Sequence, residues 1–105
     1  MLMKHDIIWS ARAVYSLQSI KEYISQVSLN KAATIVREIV IYAKQLEDFP
    51  FMGKIDIRLG SDVRTLIKGD YFITYKANEN RVEIIDILCS KQDFISIYFK
   101  NTNEK

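Results

Sequence analysis

The chain has 105 residues, of which 49% are hydrophobic and 27% are charged, a composition typical of one soluble globular domain. Its net charge of +2 permits an acidic partner but is low for a dedicated duplex-DNA binder, so we expect no direct, specific DNA binding. The single cysteine, Cys89, excludes an internal disulfide, which favours a reducing compartment. No window approaches the ~20 consecutive apolar residues of a membrane span. We therefore expect a cytoplasmic protein that does not enter the membrane.

The first half of the chain is predicted to form a short strand and two helices. Residues 6 to 9 are an apolar run of strand type, and Ser10 after them is a suitable helix N-cap. Apolar side chains recur at gaps of three and four from Ala13 to Val27, which indicates an amphipathic helix. A second helical periodicity extends from Lys31 to Asp48 and ends before Pro50. Because the connection between the helices is short, we expect them to lie antiparallel.

The second half is predicted to form three antiparallel strands. Val63 to Lys68 and Tyr71 to Ala77 flank the turn dipeptide Gly69-Asp70, and Arg81 to Cys89 follows the next turn. Residues 54 to 62 are expected to form a loop or a short edge strand.

These elements predict an α+β domain of order β-α-α-β-β-β. An antiparallel sheet of three to four strands would pack against the N-terminal α-helical hairpin, because a lone meander leaves one apolar face bare. Residues 7 to 9 are expected to join the sheet at an edge that the sequence does not specify. We expect one domain over residues 1–105, with a core of about residues 6–93 and a C-terminal tail of residues 94–105.

The residues that punctuate these elements form an ordered set over most of the chain. The set comprises Trp9-Ser10, Ile20 with Tyr23-Ile24, Ala32-Ala33, Leu46 with Phe49-Pro50 and Met52-Gly53, Val63-Arg64 with Leu66, Gly69 with Tyr71, Ile73 and Tyr75, and Val82-Glu83-Ile84 running into Cys89-Ser90-Lys91-Gln92-Asp93. No single match is specific, but in this order the set resembles the RelE/ParE superfamily of toxins from type II toxin–antitoxin modules, and the ParE branch most closely. The resemblance implies a toxin that a cognate antitoxin neutralises in a hetero-oligomer.

Two activities occur on the fold that this resemblance implies, so the residues must separate them. RelE-type members cut messenger RNA on the ribosome, whereas ParE-type members poison DNA gyrase by binding it. RelE-like toxins carry an Arg at the centre of the sheet, three places before a Tyr. That place is Phe72 here, three before Tyr75, and a phenyl ring cannot donate a hydrogen bond to a phosphate. Losing such a charge typically costs about 3 kcal/mol of transition-state stabilisation.

The end of the last strand also differs from the family pattern, because a cation and a His are missing there. Many relatives carry a His, a Gly and two Arg before the Asp, and Cys89 to Gln92 stand in those places here. We therefore favour a gyrase-binding inhibitor over an enzyme. Two alternatives stay open: a RelE-like ribosome-dependent endoribonuclease, for which Arg64, Lys91 and Tyr98 are the candidate catalytic residues, and a degenerate, non-toxic member that only binds an antitoxin.

The candidate target-binding surface combines cations with aromatic side chains, the usual anchors of protein interfaces. Its members are Arg64, Lys68, Lys91, Phe94 and Tyr98. Arg64 and Lys68 share one strand face because their spacing of four is even. The competing interpretation of this pair is the solvated face of an edge strand, where Lys also discourages aggregation.

The candidate antitoxin-binding surface consists of apolar side chains that the core does not need. Its members are Ile41, Tyr42, Ile97 and Phe99. Exposed apolar stretches on a small domain usually indicate a partner, and for this family the resemblance implies an antitoxin that binds as a helix in a groove or as an added strand. We expect no cofactor and no metal site, since three or four ligands would have to come from scattered carboxylates.

Overall fold

The fold is known from a computed structural model that describes residues 4–90. Its elements follow one another in the order β1 (Asp6–Trp9), α1 (Ala11–Ser25), α2 (Leu29–Lys44), a 3₁₀ turn (Gln45–Glu47), β2 (Lys54–Ile55), β3 (Val63–Lys68), β4 (Tyr71–Ala77) and β5 (Arg81–Cys89). The α+β class and the helical hairpin that precedes the three long strands are confirmed. Neither helix in this part of the chain is long and apolar enough to cross a membrane.

The sheet has five strands in the order β1-β5-β4-β3-β2, one more than the largest number expected. The added strand is β2, whose two residues pair with Arg64 and Thr65 of β3. The sheet is also mixed, since β1 runs parallel to the first half of β5 and the other pairs are antiparallel. Residues 6 to 9 thus form the edge beside β5, which the sequence left open.

Both helices begin directly after a serine cap. The Ser10 hydroxyl accepts a hydrogen bond from the Ala13 N–H, and the Ser28 hydroxyl accepts one from the Lys31 N–H, so each cap satisfies one of the otherwise unpaired N–H groups of a first turn. α2 stops at Lys44, earlier than its apolar periodicity predicts, because the 3₁₀ turn continues the pattern to the end of the helical segment.

A single core lies between the helical hairpin and one face of the sheet. The helices contribute Ala13, Ile20, Ile39, Ala43 and Leu46, and the sheet contributes Leu66, Ile73, Tyr75, Val82, Ile84 and Ile87. Because alternate residues of a strand point to opposite faces, these positions assign one face of β3, β4 and β5 to the core. The residues between them form the opposite face, here called the open face.

A β-bulge in β5 fastens α1 to the sheet. The register of β4 and β5 shifts between Thr74 and Tyr75, and the carboxylate of Asp86 at this point accepts hydrogen bonds from Ser16 Oγ at 2.5 Å and Arg12 Nε at 3.4 Å. Bulges re-aim side chains in this way, so a residue of the sheet holds the first helix in place.

Candidate interaction surface

An apolar row crosses the open face of the sheet. Ile67 of β3 pairs with Phe72 of β4, and Phe72 pairs with Leu88 of β5. Ile67 is 59% exposed and Leu88 is 41% exposed. Three neighbouring strands therefore present large apolar side chains in register, on a face that no described helix covers.

A second set of apolar side chains lies beside this row, on the segment here called the arm (residues 52–59). Its exposed members are Met52, Ile55, Ile57 and Leu59, of which Ile57 is 81% exposed. The arm and the open face together line one groove, whose sheet side includes Thr65, Ile67, Phe72, Thr74 and Leu88. Contiguous apolar surface of this kind on a small domain usually marks a binding site.

The arm's shape depends on an internal ion pair. Arg58 Nε and Nη2 donate to the two carboxylate oxygens of Asp56 at 2.9 and 2.8 Å, and the Leu59 N–H closes a turn onto the Asp56 carbonyl at 2.9 Å. The side-chain hydrogen bonds from Arg58 hold the pKa of Asp56 below its usual value. The two charges of the arm's turn therefore neutralise each other, while Lys54 at the start of the arm is exposed.

The start of the arm is fixed to the sheet by two polar side chains. The Gly53 N–H donates to the buried hydroxyl of Tyr75 at 2.8 Å. Arg64 Nη1 donates to the carbonyls of Gly53 at 2.7 Å and Phe51 at 3.1 Å. The Arg64 guanidinium carbon also lies 5.2 Å from the centre of the Phe51 ring, within the range of a cation–π contact.

Gly53 is packed too closely to carry a side chain, and its hydrogen-bond partner Tyr75 has a raised pKa. A Cβ on Gly53 would lie 2.7 Å from the Tyr75 hydroxyl and 2.9 Å from the Thr65 carbonyl oxygen, so only glycine allows this close approach. Desolvation raises the pKa of Tyr75 above its usual value, against opposing effects of the Gly53 hydrogen bond and the Arg64 charge. The phenol is therefore neutral and available as an acceptor at physiological pH.

The two predicted cations of β3 lie on one face, the face that meets the helices. Lys68 Nζ lies 5.5 Å from the centre of the Tyr42 ring on α2, and Arg64 reaches the Phe51–Gly53 segment. Both side chains are half-buried, so neither fits the interpretation of a fully solvated strand face. Their predicted role in target binding stays a prediction.

The two described residues of the predicted antitoxin-binding surface, Ile41 and Tyr42, differ in their exposure. Ile41 is 59% exposed on α2, whereas Tyr42 is half-buried, packs against the core and lies beneath Lys68. The remaining predicted site residues lie outside the described residues: Lys91, Phe94, Ile97, Tyr98 and Phe99. Within residues 4–90, no three His, Cys, Asp or Glu side chains gather as a metal site requires.

Comparison with known proteins identifies the family. The model of a family described as the ParE toxin of the type II toxin–antitoxin system parDE matches residues 7–94. The chain belongs to the ParE toxin family. Its membership confirms the resemblance inferred from the ordered residue set, and with it a ParE-type toxin of a type II module.

The fold agrees with a solved structure of a ParDE system. A chain of the chromosomal ParDE toxin–antitoxin system from P. aeruginosa aligns with a TM-score of 0.72 at 21% sequence identity, over 84% of this chain and 98% of that chain. At this identity the likeness concerns the fold. No curated protein matches the ParE-type chain at a significant level.

The exposed apolar residues of the arm were absent from the sequence-based site. Their signal was present in Ile55, Ile57 and Leu59, which alternate with charged residues at the spacing of a strand. From the sequence, this segment is expected to form a loop or a short edge strand, and it is assigned no role in binding. The structure ends the strand after two residues, so the alternating side chains point to a surface without a cover.

Proposed function

We propose that this ParE-type protein is neutralised by a cognate antitoxin and inhibits DNA gyrase when it is free. The observation that carries the proposal is the extent of apolar surface on the open face and the arm, combined with membership of the ParE family. A surface of this kind is suited to binding a large partner, because apolar side chains at an interface lose water on contact. Action on gyrase would place the protein in the cytoplasm.

The nature of the open face favours binding over phosphate chemistry. Phe72 lies in the middle of the apolar row, between Ile67 and Leu88. A phosphate placed there would be desolvated without a cation or a donor from this row, which is costly. RNA cleavage needs charge stabilisation at the phosphorus, so the row supports the inhibitor over the endoribonuclease.

The proposed antitoxin contact includes the exposed apolar part of α2. Ile41, with Tyr42 behind it, offers an apolar strip on the helical side of the molecule, and the proposal extends this contact to Ile97 and Phe99. A partner that also covered the arm would have to pass around the edge of the sheet at β2. An extended antitoxin segment can do this, since segments that fold on binding can wrap large surfaces.

The proposed gyrase contact involves the face of β3 that carries Lys68 and Arg64. The ammonium group of Lys68 lies 5.5 Å from the centre of the Tyr42 ring on α2. Lys91, Phe94 and Tyr98 complete the proposed set. Arg64 belongs to the same face of β3 and donates to the carbonyls of Phe51 and Gly53 at the start of the arm.

Induction of the toxin without its antitoxin tests the proposal. We expect DNA damage and filamentation in cells, and loss of supercoiling by purified gyrase at a molar excess of toxin. Messenger RNA cleavage on ribosomes is measured in parallel and should not change. Cut messages with unaffected gyrase would establish the endoribonuclease instead, and no effect in either assay would favour the non-toxic, antitoxin-binding alternative.

A further inference from the structure

Arg64 is oriented towards its own chain rather than towards solvent. Its Nη1 atom is within hydrogen-bond distance of two carbonyl oxygens, at 2.7 Å to Gly53 and 3.1 Å to Phe51, and its guanidinium carbon lies 5.2 Å from the centre of the Phe51 ring. Hydrogen bonds from a charged donor are stronger than neutral ones. The Arg64 guanidinium therefore contacts two carbonyl oxygens and one aromatic ring of the segment Phe51–Gly53.

That segment, Phe51–Gly53, includes the first two residues of the arm. Gly53 precedes Lys54, and the arm then pairs with β3 through two strand residues and one further bond, from the Asp56 N–H to the Val63 carbonyl at 2.8 Å, before it turns at Asp56. Two residues are far fewer than a strand usually has, so this pairing supplies few ladder hydrogen bonds. The contacts of Arg64 and Tyr75 to Phe51 and Gly53 are the additional attachments that set where the arm begins.

We propose that Arg64 is a positioning residue, which holds the arm in the place where its exposed apolar side chains meet a protein partner. The proposal rests on the proposed function only for the identity of that partner. It assigns the effect of Arg64 on target inhibition to the arm (residues 52–59) rather than to a direct contact between its charge and gyrase.

The three glycines of the chain offer a direct readout of arm position. Protein labelled with ¹⁵N-glycine gives three backbone amide signals, from Gly53, Gly60 and Gly69. In the variant Arg64→Met we expect the Gly53 signal to shift and its hydrogen exchange to accelerate. The Gly69 signal, from the turn between β3 and β4, serves as the internal control and should not move. An unchanged Gly53 signal would overturn the proposal.

Substitution by lysine separates charge from geometry. Arg64→Lys keeps the positive charge but has a shorter head group and lacks the planar guanidinium that lies near Phe51. Positioning predicts that Arg64→Lys shifts the Gly53 signal and loses roughly ten-fold of its potency against gyrase supercoiling, the order of effect of one interface anchor. A direct charge contact predicts that Arg64→Lys keeps its potency, and that result would contradict the proposal.

A disulfide between the arm and β3 should restore the position of the arm without restoring any contact of Arg64. Lys54 and Thr65 are partners across the antiparallel pair of β2 and β3, where Cα atoms approach closely enough for a disulfide. In the triple variant Arg64→Met, Lys54→Cys, Thr65→Cys, oxidation should recover most of the lost inhibition. The same protein after reduction is its own control, and equal potency in both states would overturn the proposal.

The two proposals fail in different ways. If the wild-type protein leaves gyrase active at molar excess, the proposed target is wrong, and the Gly53 signal of Arg64→Met then decides by itself whether Arg64 positions the arm. If the wild-type protein inhibits gyrase but the triple variant is equally potent when oxidised and when reduced, the target stands and the positioning role is rejected.

Discussion

Thr65 and Thr74 are partners across β3 and β4, yet their hydroxyls have opposite surroundings. Thr74 Oγ1 donates to the Asp86 carbonyl at 3.2 Å, whereas Thr65 Oγ1 is buried without a hydrogen-bond partner among the described residues. An unpaired buried hydroxyl costs free energy, while a paired one contributes about 1 kcal/mol. We expect Thr65→Val to raise the free energy of unfolding by about 1 kcal/mol and Thr74→Val to lower it by a similar amount.

Urea unfolding of the two variants checks this expectation. Each substitution replaces the same hydroxyl by a methyl group on the same face of neighbouring strands, so each serves as the control of the other. If both variants change stability in the same direction, the difference assigned to the two hydroxyls is wrong.

Tyr71 should make stability depend on pH in the alkaline range. Burial, together with the nearby Cys89 and Asp70, raises the pKa of Tyr71 to about 12. The unfolded chain then releases this proton before the folded chain does, so the contribution of Tyr71 is complete below about pH 10 and falls as the pH rises towards 12. Because the side chain is only partly buried, solvent screening will reduce the size of the effect.

The comparison of wild type with Tyr71→Phe isolates this group. Melting temperatures measured from pH 8 to pH 11.5 should decline less steeply for Tyr71→Phe, since the other tyrosines and the lysines contribute equally to both curves. Parallel curves would show that the folded environment does not hold the phenol neutral.

At the scale of elements, the two helix caps differ in what they connect. Ser10 accepts from the Ala13 N–H and also donates to the Ile85 carbonyl at 2.8 Å, at the bulge in β5. Among the residues that the structure describes, the Ser28 hydroxyl bonds to the Lys31 N–H of its own first turn and reaches no strand. A cap is worth about 1 kcal/mol, and the second bond of Ser10 adds about as much. We therefore expect Ser10→Ala to lower the free energy of unfolding by about 2 kcal/mol and Ser28→Ala by about 1 kcal/mol.

Chemical denaturation of both variants measures the difference directly. The two helices have similar lengths and similar serine caps, so Ser28→Ala controls for the loss of the cap itself. Equal losses would mean that the bond between Ser10 and β5 adds nothing to stability.

The elements themselves were accessible from the sequence because their signals are local. Helical periodicity, serine caps and turn dipeptides each involve a few consecutive residues, and they placed both helices and the three long strands within a few positions. The parallel pairing of β1 with β5 joins residues more than 70 positions apart, and no local pattern encodes such a register. The same limit applies to Arg64, whose carbonyl partners Phe51 and Gly53 lie 13 and 11 residues away.

At the scale of the whole molecule, the fold places its helices on one side of the sheet. The open face and the arm then share a groove with no described helix over it, and its apolar residues come from four separate elements or loops. The sequence predicted a partner and placed its contact on α2 and the C-terminal tail, and the groove is a further apolar surface that the sequence analysis did not include. Only the assembled sheet brings Ile67, Phe72 and Leu88 into one row beside the arm.

The most exposed large apolar side chain of this groove gives the sharpest test of its role. Ile57 is 81% exposed on the arm, and Val27 is 88% exposed at the far end of α1. Since neither side chain is buried, we expect Ile57→Glu and Val27→Glu to leave the free energy of unfolding within about 0.5 kcal/mol of wild type. The effect on function should differ, because a charge in the centre of an apolar contact is desolvated without a partner.

We expect Ile57→Glu to weaken both inhibition of gyrase and binding of the antitoxin encoded beside the toxin, by roughly ten-fold or more in at least one of them. Val27→Glu, which carries the same substitution outside the groove, should match wild type in both assays. Supercoiling titrations and isothermal calorimetry provide the two measurements. If Val27→Glu is impaired and Ile57→Glu is not, the partner binds at the tip of the helical hairpin, and the groove between the arm and the open face is not the interaction surface.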